Sequence, residues 1–320
     1  MKSTAGPAPG VTGTYLSARR SRKWARFIRD YQYYLLLLPA VVWYAIFAYG
    51  PMYGIQIAFK KFNGAKGILG SPWVGLRHFR NFFGSYFFGL LVQNTLSLSL
   101  YSLVVGAPIP ILVALMLNEI RNQKYKKTLQ TIIYAPHFIS TVVLVGIVII
   151  IFSPSAGIIN TFRRAVGMES YYFMIDPKAF RHIYVWSGIW QNVGWNSIIY
   201  LAALAGVSIE LHEAAMIDGA SRLQRVWYLN VPTILPTFTI LLILSVGSLM
   251  SVGHEKVLLM QNSLNKTTAN VISTYVYERG MIKAEYDFAA AVGVFNNVIN
   301  FVLLLLVNGA ARKLGETSLF

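Results

Sequence analysis

Six long apolar segments dominate the pattern of hydrophobic and polar positions along the chain. They lie at approximately 33–59, 89–117, 130–152, 183–206, 234–252 and 288–311. Each is close to or above the roughly 20 residues that an α-helix needs to cross a bilayer. The pattern therefore predicts an all-α integral membrane protein with six transmembrane helices.

The composition supports this class and excludes several others. Hydrophobic residues make up 55% of the chain and charged residues only 12%. There are no cysteines, which excludes disulfides, thiol catalysis and zinc–thiolate sites. The net charge is +16, but the basic residues lie between the apolar spans rather than on one continuous face. The positive-inside rule and contacts with membrane lipid explain this charge better than a nucleic-acid partner does.

The distribution of basic residues predicts the orientation. The segments placed inside hold 15 Lys and Arg residues: 1–32, 118–129, 207–233 and 312–320. The segments placed outside hold 12: 61–88, 153–182 and 253–287. The first apolar run is much longer than the apolar region of a cleavable signal peptide. We therefore expect a basic cytoplasmic tail at 1–32, a six-helix transmembrane domain at 33–311 and a cytoplasmic tail at 312–320.

The spans contain no residue that would couple transport to an ion gradient. None of the six holds an Asp, Glu, Lys or Arg. Ion-coupled carriers generally keep such a group in spite of its insertion cost of about 2.5–3.5 kcal/mol. His137 is the one ionisable side chain at depth, and we interpret it as a helix–helix hydrogen-bonding residue rather than a proton relay.

Catalytic motifs are absent as well. The sequence has no H-E-x-x-H, no G-x-S-x-G and no pair of intramembrane aspartates. It also lacks G-x-x-x-x-G-K-[ST], so this chain has no nucleotide-binding P-loop of its own. We expect a non-enzymatic subunit that binds no metal or cofactor, and any driving force for transport must come from a partner.

The loop at 207–233 is predicted to form two short helices that meet at a turn. Ser208 is an N-cap candidate for the first helix, and Gly219 is placed to end it. Ser221 fits a capping box at the start of the second helix, which Pro232 is expected to end. Amphipathicity alone is equally compatible with helices that lie on the membrane surface.

The spacing of residues in this loop is more specific. The stretch EAAMIDGASRLQRVWYLNVP resembles the "EAA" signature of type I ABC importer permeases, E-A-A-x3-G-x9-I-x-L-P, with conservative departures at Leu229 and Val231. The resemblance implies a cytoplasmic coupling helix between spans four and five that docks on an ATPase subunit. The positions that it assigns to coupling are Glu213, Ala214, Ala215, Asp218, Gly219, Leu229 and Pro232.

The resemblance extends over the membrane region. Leu35–Asn63 and Trp73–Phe83 are similar to the opening of carbohydrate-uptake permeases, particularly those for polysaccharides and larger oligosaccharides such as the permease pairs of bacterial alginate importers. It implies a multi-pass protein of the bacterial inner membrane. The implied partners are a second homologous permease in a heterodimer, two ABC ATPase subunits that bind ATP and Mg, and an extracytoplasmic solute-binding protein.

Two spans offer candidate residues for a substrate pathway, since relatives contact sugar through the spans that flank this loop. One helical face of span four carries Gly188, Asn192, Trp195, Asn196 and Tyr200. Aromatic rings stack on sugar C–H faces and amides bond sugar hydroxyls. Asn192 and Asn196 are alternatively interhelical contacts worth about 0.6 kcal/mol each. Span five contributes Ser245, Ser248 and Leu249, which are equally compatible with helix packing.

The charge of the outer segments favours an acidic substrate such as alginate. They hold 12 basic and six acidic residues. Solvation or contact with lipid explains this excess equally well. The alternatives that remain open are a neutral oligosaccharide or other small solute and, less favoured, a secondary carrier or channel.

Overall fold

The computed structural model describes residues 29–313, so most of the predicted tails at 1–32 and 312–320 lies outside the described residues. Within the described range the chain is helical, and the only β-pairing is an isolated bridge between Lys60 and Trp73. The described residues fall into two compact units, one ending at Gln56 and the other beginning at Ile57. The first contains helix α1, Tyr31–Tyr44, which has no buried residue, as expected of a helix surrounded by lipid.

The second unit begins with the end of a 3₁₀ segment, Gly50–Phe59, and continues as a series of α-helices. Before the long loop they are α2 Gly67–Gly70, α3 Arg77–Phe83, α4 Phe87–Gly106, α5 Pro108–Asn118, α6 Gln123–Tyr134, α7 Thr141–Ile151, α8 Ile158–Ala165 and α9 Pro177–Leu204. From the loop onward they are α10 Ile209–Ile217, α11 Arg222–Arg225, α12 Val231–Gly247, α13 His254–Met260, α14 Lys266–Ala269, α15 Ile272–Tyr277 and α16 Tyr286–Lys313.

The six predicted spans are present, although two of them are bent. The stretches that are long and apolar enough to cross a membrane singly are Tyr31–Phe59, Phe87–Asn118, Arg222–Gly247 and Tyr286–Lys313. Two further spans pass the same criteria as bent pairs, Gln123–Phe138 with Thr141–Ile151 and Pro177–Leu204 with Ile209–Ile217. Counting each pair once gives up to six, which agrees with the predicted six-helix membrane fold.

The third span differs most from the prediction of a helix at 130–152. Its two helices, α6 and α7, meet at an angle of 100°. The break follows a 3₁₀ turn, Ala135–Phe138, that contains Pro136, and proline cannot donate a backbone hydrogen bond. Ser140 then caps α7 by accepting a hydrogen bond from the N–H of Val143 at 3.3 Å. The apolar pattern covers both helices and therefore hides the bend.

Helix α9 is the centre of the second unit, and it packs against α5, α6 and α12. At one end Tyr200 and Leu204 are buried with Ala114 of α5 and Ile234 of α12. At the other end α9 shares a second buried cluster with α4, α7 and α13. The first turn of α9 is capped by Asp176, which accepts a hydrogen bond from the N–H of Lys178 at 2.9 Å.

The segments predicted to lie outside the membrane contain packed helices rather than open loops. Phe82 of α3 is almost completely buried, in edge contact with Phe288 and Phe295 of α16 and beside Tyr275 of α15. These aromatic contacts attach the segment that follows the first span to the last span.

Tyr171 donates a 2.6 Å hydrogen bond to Asp176, which raises the pKa of the phenol and lowers that of the carboxyl group.

Candidate functional site

The loop between spans four and five folds as predicted at its first helix. Ser208 caps α10 by accepting a hydrogen bond from the N–H of Glu210 at 3.1 Å. The helix ends at Gly219, which has a φ of +79°, a conformation that favours glycine. The N–H of Gly219 bonds the carbonyl of Met216 at 3.1 Å, and the N–H of Ala220 bonds that of Ala215 at 2.8 Å. This pair of bonds is a Schellman motif.

The second helix begins as predicted but does not end at Pro232. Ser221 and Gln224 form the expected capping box. A π-helical segment, Val226–Asn230, then leads directly into α12, and the whole run Arg222–Gly247 is one membrane-length helix. The prediction of an end at Pro232 was wrong because this proline lies in the first turn of α12, where a missing N–H is tolerated. The second helix of the loop and span five are therefore one element.

The loop exposes both its acidic and its apolar side chains. Glu213, Ala214, Asp218, Gly219 and Pro232 are exposed, whereas Ala215 and Leu229 are partly buried. Several large apolar residues are also uncovered, namely Ile217 at 87%, Leu223 at 80%, Trp227 at 67% and Tyr228 at 72%. Exposed apolar side chains in such a patch are typical of a surface that meets another protein or a membrane.

A cavity of about 730 Å³ lies beside α9 in the second unit. Its walls come from α4, α5, α9, α12 and the segment that precedes and begins α13. Along α9 the lining runs from Tyr184 to Tyr200, about 24 Å at the rise of an α-helix. All the pathway candidates lie in its wall: Gly188, Asn192, Trp195, Asn196, Tyr200, Ser245, Ser248 and Leu249. The tertiary structure therefore brings the two predicted faces of spans four and five together around one space, and their contact with substrate stays a prediction.

The aromatic part of the cavity wall is held in place by a histidine. The His137 ring stacks on Trp195 with the ring centroids 4.4 Å apart and the planes within 7°. Its Nδ1 lies 3.0 Å from Oδ1 of Asn192. His137 thus joins the turn before α7 to α9, in agreement with its interpretation as a helix–helix hydrogen-bonding residue.

The two asparagines of α9 differ in their contacts. Asn192 bonds His137, donates to the carbonyl of Gly188 at 3.0 Å, and also lines the cavity, so it has both of the roles considered for it. Asn196 is exposed in the cavity wall. An exposed amide of this kind has donors and acceptors available for sugar hydroxyls.

Ser245 of α12 and Ser248, which directly follows α12, donate their hydroxyl protons to carbonyls of that helix. Ser245 Oγ bonds the carbonyl of Leu241 at 2.7 Å, and Ser248 Oγ bonds that of Leu244 at 3.3 Å. A hydroxyl oxygen in this arrangement can still accept a hydrogen bond. Both serines therefore present acceptors to the cavity.

Other polar span residues are structural. Asn300 of α16 accepts from the N–H of Met250 at 2.8 Å and donates to Ser251 at 2.8 Å, which fastens α16 to the end of α12. Asn94 of α4 donates to the carbonyls of Thr267 and Asn270. These buried amides satisfy backbone groups where helices end.

The charged residue of the cavity wall was not among the candidates from the sequence. Lys256 of α13 lines the cavity beside Tyr184 and Gly188. It is one of 12 basic residues in the segments predicted to lie outside, and no spacing or motif separates it from the others. In the described residues there is no group of three or more His, Cys, Asp or Glu side chains arranged to hold a metal ion.

Comparison with known proteins gives a consistent result. The family described as binding-protein-dependent transport system inner membrane component matches residues 106–315. The polygalacturonan/rhamnogalacturonan transport system permease protein YteP of Bacillus subtilis (strain 168) is 39% identical over 321 residues, with 100% of both chains covered.

Two solved structures are similar over most of the chain. One is a bacterial ABC transporter involved in the import of the acidic polysaccharide alginate, with 42% identity, a TM-score of 0.84, and 91% of this chain and 99% of that chain covered. The other is a bacterial alginate ABC transporter in complex with an alginate pentasaccharide-bound periplasmic protein, with 41% identity, a TM-score of 0.85, and 93% and 100% covered. The residues matched by the family, 106–315, include the loop at 207–233.

Proposed function

The chain belongs to the binding-protein-dependent transport system inner membrane components and is an ABC importer permease of the polysaccharide- and oligosaccharide-transporting kind, and we propose that it carries an acidic oligo- or polysaccharide inward by alternating access. The energy comes from ATPase subunits that dock on the exposed loop at 207–233. The protein resides in the bacterial inner membrane as a multi-pass subunit, and we place both of its termini in the cytoplasm.

One structural observation carries the mechanism. The helices that supply the two predicted walls of the cavity, α9 and α12, are the same helices that flank the loop. The chain turns from α9 into α10 at an angle of 75°, and α11 continues into α12 without a break. A displacement of the loop would therefore reach the α12 wall through one continuous, stiff helix and the α9 wall through the bent connection between α9 and α10.

The loop has the properties that docking on a second protein requires. Glu213 and Asp218 are exposed and can pair with basic residues of an ATPase. Ile217 and Leu223 are among its most exposed side chains and can supply apolar contacts, whose burial favours protein association. Gly219 fixes the angle between the two helices. ATP-driven closure of an ATPase dimer would pull on this element and change which side of the cavity is open.

The acidic nature of the substrate is supported by two observations. Polygalacturonan and alginate, the polymers in the names of the similar permease and of the similar structures, both contain uronic acids. The segments predicted to lie outside carry 12 basic and six acidic residues, which attracts anionic chains. The partners that we assign are a second, different permease, two ATPase subunits and an extracytoplasmic solute-binding protein.

A neutral oligosaccharide is the second candidate. Amides, hydroxyls and aromatic rings from α9 and α12 line most of the polar part of the cavity, and these groups bind neutral sugars equally well. The two candidates differ only in the charge of the substrate, so one panel of sugars distinguishes them.

Reconstitution tests the proposal. The permease pair is purified with its ATPase and incorporated into proteoliposomes with the cognate binding protein, and ATP hydrolysis and sugar uptake are measured for acidic and neutral oligosaccharides. We expect both activities to be stimulated by acidic sugars and to require ATP. Uptake that continues without ATP and stops on addition of an ionophore would identify a secondary carrier and refute the proposal.

A further inference from the structure

Among the described residues, Lys256 is the only charged side chain that lines the cavity. Its Nζ donates a hydrogen bond to the carbonyl of Tyr184 at 2.9 Å and lies 4.7 Å from the centroid of the Tyr184 ring. An ammonium group has three donors, and the described residues supply an acceptor for one of them. The other two N–H groups remain available to a ligand in the cavity.

In the part of the chain that the structure describes, no carboxylate forms an ion pair with this lysine. Among residues 29–313 every Asp or Glu within 4.0 Å of a basic side chain pairs with a residue other than Lys256. Buried charges in proteins are generally paired, because taking a charge out of water is costly. Among the described residues nothing supplies a counter-ion for this partly buried ammonium group. An anionic ligand in the cavity could supply it.

Among the described residues, the helices packed against α13 carry no Asp or Glu that could pair with Lys256. Helix α13 packs against α7, α9 and α15. Helix α7 is entirely apolar apart from Thr141, and α9 presents Tyr184 to the ammonium group. On α15, Tyr277 stacks on His254, a residue of α13 itself.

The packing keeps the space in front of the ammonium open. A Cβ atom at Gly188 would lie 3.2 Å from Nζ of Lys256, closer than is normal for such a contact. Glycine at this position on α9 therefore lets the lysine reach the cavity beside Asn192, one turn further along the helix. A ligand that reaches the ammonium can also reach this amide.

We propose that Lys256 is a specificity-determining residue that binds the carboxylate of an acidic sugar unit in the cavity and selects acidic over neutral sugars. This inference rests on the proposed function. The carboxylate would accept hydrogen bonds from the two free N–H groups of Nζ. Hydroxyls of the same sugar chain would contact the amides of α9. Charge-assisted hydrogen bonds of this kind are stronger than neutral ones.

Protonation of Lys256 supports this role. Burial lowers the pKa of Lys256 to about 8, so the side chain is mostly charged at neutral pH and loses its proton as the pH rises through that value. The attraction for a carboxylate is therefore present below the pKa and lost above it. We expect the KM for an acidic oligosaccharide to rise as the pH of the outer solution passes about 8, and we expect no such change for a neutral sugar.

The test uses the complete importer in proteoliposomes with its binding protein. The probes are an oligogalacturonate and its fully methyl-esterified form, which has the same rings without the negative charges. Lys256→Met removes the charge and retains most of the length of the side chain, and Lys256→Arg retains the charge. Lys61→Met is the matched control, because Lys61 is an exposed lysine outside the cavity.

We expect Lys256→Met to raise the KM for the oligogalacturonate about 10- to 100-fold, with little change in kcat, as expected for loss of one charge-assisted hydrogen-bonding group. Lys256→Arg is expected to restore most of the affinity, and the KM for the methyl ester should be the same in all four proteins. If the binding protein does not deliver the ester, so that its uptake cannot be measured, binding of both probes to the permease complex in nanodiscs replaces the uptake assay.

Three results overturn the inference. The first is an unchanged KM for the oligogalacturonate in Lys256→Met, and the second is an equal rise for both probes. The third is a Lys256→Met permease that no longer assembles with its partners while Lys256→Arg does, which would assign the lysine to an interface. In each case wild-type ATP-dependent uptake shows that the proposed function stands. If the wild-type importer moves no sugar with ATP, the proposed function and this inference fail together.

Discussion

Gly219 provides the sharpest test of the loop as a mechanical coupling element. In Gly219→Ala the new Cβ would meet no atom within 4 Å, so only the backbone strain at a φ of +79° remains. That strain is about 1–2 kcal/mol for a residue with a side chain. It corresponds to a roughly 5- to 30-fold smaller population of the native turn relative to open forms. Gly219→Pro is more severe, because proline fixes φ near −65° and removes the N–H that bonds Met216.

The assay compares ATP hydrolysis with sugar uptake in the reconstituted importer. We expect Gly219→Ala to lower the amount of sugar transported per ATP, and Gly219→Pro to abolish both uptake and sugar-stimulated hydrolysis. Gly219→Asn should fall between wild type and Gly219→Ala, because asparagine tolerates the left-handed conformation better than alanine does. Gel filtration of the purified complex shows whether each variant is still folded.

The chain contains a matched control at Gly167. Its φ is also +79°, and a Cβ there would also meet nothing within 4 Å. The same two backbone bonds form, from Gly167 to Arg164 at 3.0 Å and from Met168 to Arg163 at 2.8 Å. Gly167 lies in a segment predicted to face outward, so Gly167→Ala carries the same strain away from the ATPase. If Gly167→Ala uncouples hydrolysis as strongly as Gly219→Ala, or if Gly219→Pro transports normally, the reasoning is refuted.

Three further variants test the packing and the cavity. Asn300→Ala leaves the N–H of Met250 without an acceptor and should lower the free energy of unfolding by about 1–3 kcal/mol. Thermal unfolding in detergent measures this loss. The control is Asn297→Ala, at an exposed position on the same helix, which should change little. Trp195→Ala removes the stacked ring from the cavity wall and should raise the KM for sugar. Trp190→Ala, on the same helix but outside the cavity, should leave the KM unchanged. Equal effects of the two substitutions would contradict a substrate-binding role for Trp195. Ser221→Ala removes the capping box of α11 and should destabilise the loop by about 0.5–2 kcal/mol, which hydrogen exchange of the loop amides would detect.

Local signals explain why so much of the loop was predictable. Ser208, Gly219 and Ser221 act on backbone groups within five residues of themselves, so their spacing alone predicted two helices and a turn. The spans were predictable for a similar reason, because twenty apolar residues in succession can satisfy their backbone groups in a membrane only as a helix. The coupling role given to Glu213 and its neighbours comes from resemblance to a family and stays a prediction.

Predictions failed where a residue's effect depends on its position in a longer helix. Pro232 was expected to end a helix because proline lacks an N–H, but it lies in the first turn of α12, after a π-helical segment, where that N–H is not needed. The 100° bend beside Pro136 was likewise hidden, because proline is compatible with both a small kink and a complete break. Only the packing of the neighbouring helices distinguishes these outcomes.

The sequence by itself determined the class of the protein, its six spans, the loop with its caps, and the polar faces of spans four and five, because each depends on residues that are near one another in the chain. Only the tertiary structure decided that these two faces enclose one cavity and that Asn300 and Asn94 fasten helix ends. It also decided that Lys256 lies beside Gly188 with no carboxylate partner among the described residues. Such arrangements join residues tens of positions apart, and the packing of helices against one another, rather than any local pattern, brings them together.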